Sequence, residues 1–187
     1  MIIHINSYPG VGKLTIGRHL AEKLGGRLLD NHSIYNVAFA VTEFRSPSFY
    51  QTVRAVRDVA YARVLELPVS TPVVLTNWYS EDSAWGVENW DEIIALARKR
   101  GCPLLIVILS CSPEENATRI QSEGRAAKHK PRSLEMVDAN RARRALLEQG
   151  GDALFRLDVT SLPAEAASQR IADWIGKTVA PAQSPIW

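Results

Sequence analysis

The chain has 187 residues, 46% hydrophobic and 22% charged, the make-up of one globular α/β domain with a sizeable core and not of a disordered or membrane-spanning chain. A formal net charge of +2 is too small for a nucleic-acid coat and points to a small anion as partner, and no stretch approaches the roughly 18 uninterrupted apolar residues of a membrane span. Two cysteines, Cys102 and Cys111, lack metal-ligand spacing and read as reduced thiols, and the amino terminus opens in a strand and not a leader, so the expectation is a cytoplasmic protein with no membrane partner.

Met1 to Asn6 is apolar and β-branched, as a strand covered on both faces should be, and Ser7-Tyr8-Pro9-Gly10-Val11-Gly12-Lys13 follows at once. Successive backbone N–H groups that curl around an anion need glycine where a Cβ would block, and Gly10 and Gly12 supply it. Lys13 stands where an ammonium reaches the outer phosphates of a bound triphosphate. The helix continues through Leu14-Thr15-Ile16-Gly17, with Leu14, Ile16 and Leu20 turned to the core. Pro9, Gly10, Val11, Gly12, Lys13, Leu14 and Thr15 are thus the candidate nucleotide-binding residues.

The segment resembles the Walker A motif, G-x-x-x-x-G-K-S/T, with two departures. Ser7 replaces the first glycine, whose task is mainly to turn the chain. Leu14 replaces the hydroxyl residue that coordinates Mg²⁺ in that motif. The resemblance implies ATP and Mg²⁺ as cofactors; with Leu14 in place, either Thr15 and water hold the metal indirectly or metal use is altered.

Gly25-Gly26 stops the first helix and Arg27-Leu28-Leu29-Asp30 reads as a short strand, after which Asn31-His32-Ser33 opens a helix. An acid at a strand end near a phosphate loop suits a general base, and Asp30 equally suits an N-cap. His32 is a candidate substrate contact beside it. Shikimate-kinase-like and gluconate-kinase-like proteins, which the chain resembles here, hold at this place an acid that binds or deprotonates the acceptor hydroxyl.

Ser46-Pro47 starts a long helix through about Leu67, on which Phe49, Val53, Val56, Ala60 and Val64 face the core. Arg54, Arg57 and Tyr61 recur on another face, so Arg54 and Arg57 are expected to enter the acceptor pocket unless they pair with Asp58 or other neighbours. Phe44, Phe49 and Tyr50 read as core, with stacking on a ligand ring as the alternative. Val73 to Thr76 is a buried strand ending in Asn77, where a Walker B strand would end in an acid; Trp78, Tyr79, Trp85 and Trp90 receive no role. A helix begins near Glu88 and runs to Arg100, and Pro103 to Leu109 must be a central strand.

From Ser112-Pro113-Glu114 a helix leads into a segment rich in arginine and lysine, Arg119, Arg125, Lys128, Lys130, Arg132, Arg141, Arg143 and Arg144. The order strand, Ser-Pro-Glu, helix, Arg-x-x-x-x-x-Arg, basic segment, helix is similar to the lid of nucleoside-monophosphate-kinase-like proteins. That resemblance implies Arg119 beside the adenine and Arg125 clamping the transferring phosphoryl group. Ala153 to Asp158 is the last strand, and Ala180 to Trp187 reads as a loose tail.

The expected architecture is an α/β three-layer P-loop NTPase fold with a five-stranded parallel sheet and a helical lid, spanning residues 1–179, the lid about 120–145, with a flexible tail over 180–187. The implied activity is ATP-dependent transfer of the γ-phosphoryl group to a small-molecule acceptor such as a nucleotide, a sugar acid, a shikimate-like compound or an antibiotic. Lys13, Asp30 and Arg125 would be catalytic, with Lys128 or Arg132 as alternatives to Arg125. The opening Ile-Ile-His-Ile-Asn is also similar to tunicamycin-resistance and chloramphenicol-phosphotransferase proteins. A nucleotide-binding regulator, favoured by Leu14, and a polynucleotide kinase stand as alternatives.

Overall fold

Strand β1 (Ile2–Asn6) is buried along its whole length because it is the middle strand of a five-stranded sheet. The structure, a computed structural model, describes residues 1–121 and 145–179. Strands β2 (Arg27–Asp30), β3 (Val73–Asn77), β4 (Leu104–Ser110) and β5 (Ala153–Asp158) complete the sheet in the order β2-β3-β1-β4-β5, every pairing parallel. Ile2 lies opposite Val73 and Leu104, and Asn6 opposite Asn77 and Ile108, so the three inner strands end level. The chain builds β2 and β3 on one side of β1 and then crosses to build β4 and β5 on the other. A crevice therefore opens beyond Asn6, where strand order reverses.

The two sides of the sheet carry separate cores. Ile3, Ile5, Val107 and Leu109 face α1 (Lys13–Lys23) and the last helix, α6 (Ala164–Val179), through Ile16, Leu20, Ile171 and Ile175. Ile2, Leu75, Ile106 and Ile108 face α4 (Ala84–Arg100) through Trp90, Ile93 and Leu96, joined by Val64 of α3 (Pro47–Glu66). Helix α2 (Asn31–Val41) packs on α3 around a smaller core of Ile34, Ala38, Phe49 and Val53, and α5 (Pro113–Gln121) follows β4. The three-layer α/β architecture and the all-parallel five-stranded sheet are as the sequence implies. The expected lid over about 120–145, but for its edges, and the whole tail over 180–187 lie outside the described residues.

One boundary differs from the sequence reading. Helix α4 begins at Ala84, four residues before Glu88, because the Ser83 hydroxyl accepts the Gly86 N–H at 3.0 Å and caps it. Glu88 then stands in the second turn and faces α3 instead of the dipole.

Polar side chains close the open end of the core. Asn6 Nδ2 donates to the carbonyls of Tyr79 and Leu147, both at 2.9 Å, while its Oδ1 accepts the Tyr79 N–H at 2.9 Å. This pins the chain leaving β3 to residues 145–149, where Leu147 N–H also reaches the Tyr79 carbonyl at 3.1 Å and Trp90 Nε1 donates to the Gln149 carbonyl at 2.8 Å. His4, fully buried, places Nε2 3.0 Å from Asn77 Oδ1 and packs edge-on to Trp90.

Burial pushes the His4 pKa down to about 4, the Asn77 bond opposes that, and the Lys13 charge adds to it. The native state thus holds His4 neutral, and its contribution is fully present above the unfolded value of 6.5 and lost as pH falls towards 4. The expected loss between those limits is about 3 kcal/mol, at roughly 1.4 kcal/mol per pKa unit. Urea unfolding from pH 7 to pH 4 of the natural chain and of His4→Gln measures it: the variant should show the shallower decline, and parallel profiles would assign the pH dependence elsewhere.

Candidate functional site

The chain leaves β1 and turns through Gly10 at φ 94° and Gly12 at φ 109°, both in the left-handed region that disfavours a Cβ. The two glycines meet different demands. A Cβ on Gly10 would lie 2.5 Å from Asn116 Nδ2 and 2.6 Å from Ile120 Cγ1, so α5 packs directly on the loop backbone, an approach that Asn116 secures by donating to the Pro9 carbonyl at 3.0 Å. A Cβ on Gly12 would meet nothing nearer than 3.7 Å, so Gly12 answers only the backbone angle.

Gly12 is also the N-cap of α1, and no described side chain caps that helix. The first amides of α1, with no carbonyl a turn behind them, face the loop and make the positive end of the helix dipole an anion site. Lys13 Nζ donates to the Ser7 carbonyl at 3.2 Å, the Tyr8 carbonyl at 3.3 Å and Ser7 Oγ at 3.4 Å, folding its ammonium along the same loop. Pro9, Val11 and Thr15 line the cleft with them. Leu14 does too. It is half-buried in the cleft wall and not in the core expected for it, because the helix turns Ile16 and Leu20 inward.

Arg119, on α5, braces this end. Its Nη1 donates to the Val11 carbonyl at 2.8 Å, its Nη2 to the Val159 carbonyl at 2.8 Å, and its Nε to Glu115 Oε1 at 2.6 Å. One guanidinium therefore ties the phosphate loop to the turn after β5, whose Leu162, Pro163 and Ala164 also line the cleft.

At the β2–β3 end, Asp30 is 7% exposed and held at both oxygens. Oδ2 accepts the His32 N–H at 3.2 Å, capping α2, and Oδ1 accepts the Thr76 hydroxyl at 2.5 Å. The cap and the cleft position coincide in one side chain. His32 lines the cleft as well, with Nδ1 3.4 Å from Asn36 Oδ1.

Arg54 and Arg57 do not line the cleft, against the expectation for them. Arg54 grips Glu88 through Nε and Nη2, both at 2.7 Å, and this bond holds the Glu88 carboxyl below its usual pKa. Arg57 is buried, donating to Asn89 Oδ1 at 3.0 Å with Asp58 at 3.3 Å and Glu88 at 3.7 Å. The early start of α4 explains both, since it swings Glu88 and Asn89 towards α3. Arg125 lies outside the described residues.

Sequence reasoning did not assign the aromatic wall. Phe49 is core as read, though it also borders the cleft, while Phe44 is exposed and Tyr50 half-buried on its wall; Trp78, Tyr79 and Trp85, which received no role, line it too, and Trp90 is core. The available signal was density: rings crowd residues 35–50 and 78–90. The cleft holds about 1010 Å³, at the upper end for single-ligand sites and room for two molecules. Its described carboxylates are Asp30 and Asp82, and among the described residues no three His, Cys, Asp or Glu groups converge on a metal position. No described helix is long and apolar enough to cross a membrane.

No protein-family model matches the chain, and no curated protein matches its sequence. Solved structures do match its fold. A candidate kinase from Chloroflexus aurantiacus aligns over 95% of this chain and 97% of its own at 18% identity, TM-score 0.67. The tunicamycin resistance protein of Deinococcus radiodurans aligns over 97% and 98% at 18%, TM-score 0.60, and the shikimate kinase of Bacteroides thetaiotaomicron over 94% and 98% at 17%, TM-score 0.55. The fold is that of P-loop small-molecule kinases.

The two loop glycines should separate in a stability assay. Gly12→Ala is expected to cost about 1–2 kcal/mol, the strain of a left-handed alanine, and Gly10→Ala at least about 1 kcal/mol more, because Ile120 and Asn116 must also give way. Urea unfolding of both variants measures the gap, and equal losses would show that α5 does not bear on the loop.

Proposed function

We propose that the protein is an ATP-dependent phosphotransferase that moves the γ-phosphoryl group of ATP to a hydroxyl or phosphate of a small molecule. The observation that carries this is the junction of β1 and α1: two glycines at positive φ, a helix start with no side-chain cap among the described residues, and Lys13 folded along the loop. Such a junction fits a polyphosphate. The opposite wall presents a fixed carboxylate, Asp30, in the same cleft.

In this scheme the loop amides and Lys13 hold the β- and γ-phosphates, and the turn at Leu162 to Ala164 borders the nucleotide end, braced by Arg119. Asp30 takes the proton of the acceptor oxygen as that oxygen bonds to the γ-phosphorus and the bridging bond to ADP breaks. Its second oxygen stays fixed by Thr76, which keeps the base in place. Arg125, on the resemblance to nucleotide-kinase lids, supplies charge to the equatorial oxygens. Mg²⁺, when bound, neutralises phosphate charge. Leu14 offers it no ligand, so its protein contacts would run through Thr15 and water, with the phosphates as main ligands.

A second reading is a nucleotide-binding regulator that phosphorylates no small molecule. Leu14, in place of the hydroxyl residue that coordinates Mg²⁺ in the Walker A motif, favours it.

Acceptor-dependent ADP release separates the two. A screen over nucleosides, sugar acids and other hydroxylated compounds is expected to find acceptors that accelerate release. Lys13→Met should lower that rate at least about a hundredfold, and Asp30→Asn about 10²–10⁴-fold, the usual contribution of a general base. An Asp30→Asn enzyme with full acceptor turnover would remove Asp30 from the mechanism, and ATP binding with no acceptor effect would favour the regulator.

A further inference from the structure

The β2–β3 end of the cleft is walled by Tyr35, Phe39, Phe44, Phe49, Tyr50 and Trp85. Phe39 is 47% exposed and Phe44 60%, although both lie beside rings that they contact. The rings run in one connected series: Phe44 to Phe49 at 5.3 Å and 90°, Phe49 to Tyr50 at 5.6 Å and 82°, Tyr50 to Trp85 at 4.8 Å and 55°. Trp85 is fixed twice. Its Nε1 donates to the Tyr35 hydroxyl at 2.8 Å, and the Arg54 guanidinium lies 4.9 Å from its ring centroid while gripping Glu88. Arg54 is thus a positioning residue behind the wall.

The charge at this end points the same way. With Arg54 and Arg57 committed to Glu88 and Asn89, the described charged groups here are the carboxylates of Asp30 and Asp82 and the exposed Arg45. Arg45 holds a φ of 64°, a strained angle for a residue with a side chain, and stacks its guanidinium 5.0 Å from the Phe44 ring centroid at the rim. A small polyanion would meet two carboxylates against the single Arg45 guanidinium, whereas a flat ring would cover exposed aromatic faces and gain edge and stacked contacts.

We infer that the phosphoryl acceptor is a ring-bearing, largely apolar alcohol or phenol, seated on this aromatic wall with its hydroxyl towards Asp30. This rests on the phosphotransferase proposal. The hydroxyl gives its proton to Asp30, its oxygen bonds to the γ-phosphorus of ATP, and ADP leaves with the electrons of the broken bridging bond.

Calorimetry on the full chain tests it with 2-naphthol as the probe, and ATP titrated separately. The expected result is one saturable 2-naphthol site with a dissociation constant below about 1 mM, weakened tenfold or more in Phe44→Ser and in Trp85→Leu, while ATP affinity stays within twofold. Phe44 is exposed, so its variant keeps the fold testable. No saturable 2-naphthol binding by a chain that binds ATP overturns the inference, as does equal affinity in both variants or displacement of 2-naphthol by gluconate or shikimate. Sedimentation showing a dimer that Phe44→Ser disperses would also overturn it, by making the wall a self-association face. Failure to bind ATP would instead sink the phosphotransferase proposal beneath it.

Discussion

The site depends on one backbone path, the departure of the chain from β1 into α1 under the weight of α5. A loop whose amides converge on an anion is unfavourable by itself, since those amides repel one another and lose water. Here the cost is met by packing: Asn116 and Ile120 press on the bare Cα of Gly10, and Arg119 fastens the Val11 carbonyl to the turn after β5. The same contacts fix the order of elements, because only a strand order that places β4 beside β1 brings α5 over the loop. Sheet topology and phosphate cradle are one constraint seen at two scales.

The opposite end of the cleft rests on side chains and not on glycine. Asn6 satisfies three backbone groups of neighbouring segments, and Asp30 satisfies a helix end and a strand hydroxyl. Both act as structural fasteners, Asn6 fully buried and Asp30 with its remaining surface in the cleft wall. A carboxylate that is already oriented loses little entropy on meeting a substrate, which is why the capping role of Asp30 strengthens its chemical candidacy.

Much of this was legible in the chain. The strands β2 and β5 fall on the residues that apolar runs and turn signals marked, and the loop was evident from Gly10, Gly12 and Lys13 because few other structures need that spacing. What stayed hidden was direction. Helical spacing put Arg54 and Arg57 on one face but could not say that Glu88 would stand opposite, since that depended on Ser83 capping α4 four residues earlier than the acidic residues suggested. The aromatic residues were hidden for a related reason. A phenylalanine in a core and one on a cleft wall look alike in one dimension, and only the crossing of α2 and α3 decides which of Phe44 and Phe49 is covered.

These corrections have a common sense. Moving two guanidiniums out of the cleft and a set of rings into it leaves its described wall at the β2–β3 end less cationic and more aromatic. Leu14 extends that apolar lining to the phosphate loop itself, where a hydroxyl was expected. In the proposed reaction the contact of Lys13 and the loop amides with phosphate would strengthen wherever a bound substrate displaces water, because it grows as the local dielectric falls. With fewer ligands to offer a metal and fewer cations on its described walls, the proposed site would rely more heavily on the few it keeps, and Lys13 stands at the centre of them.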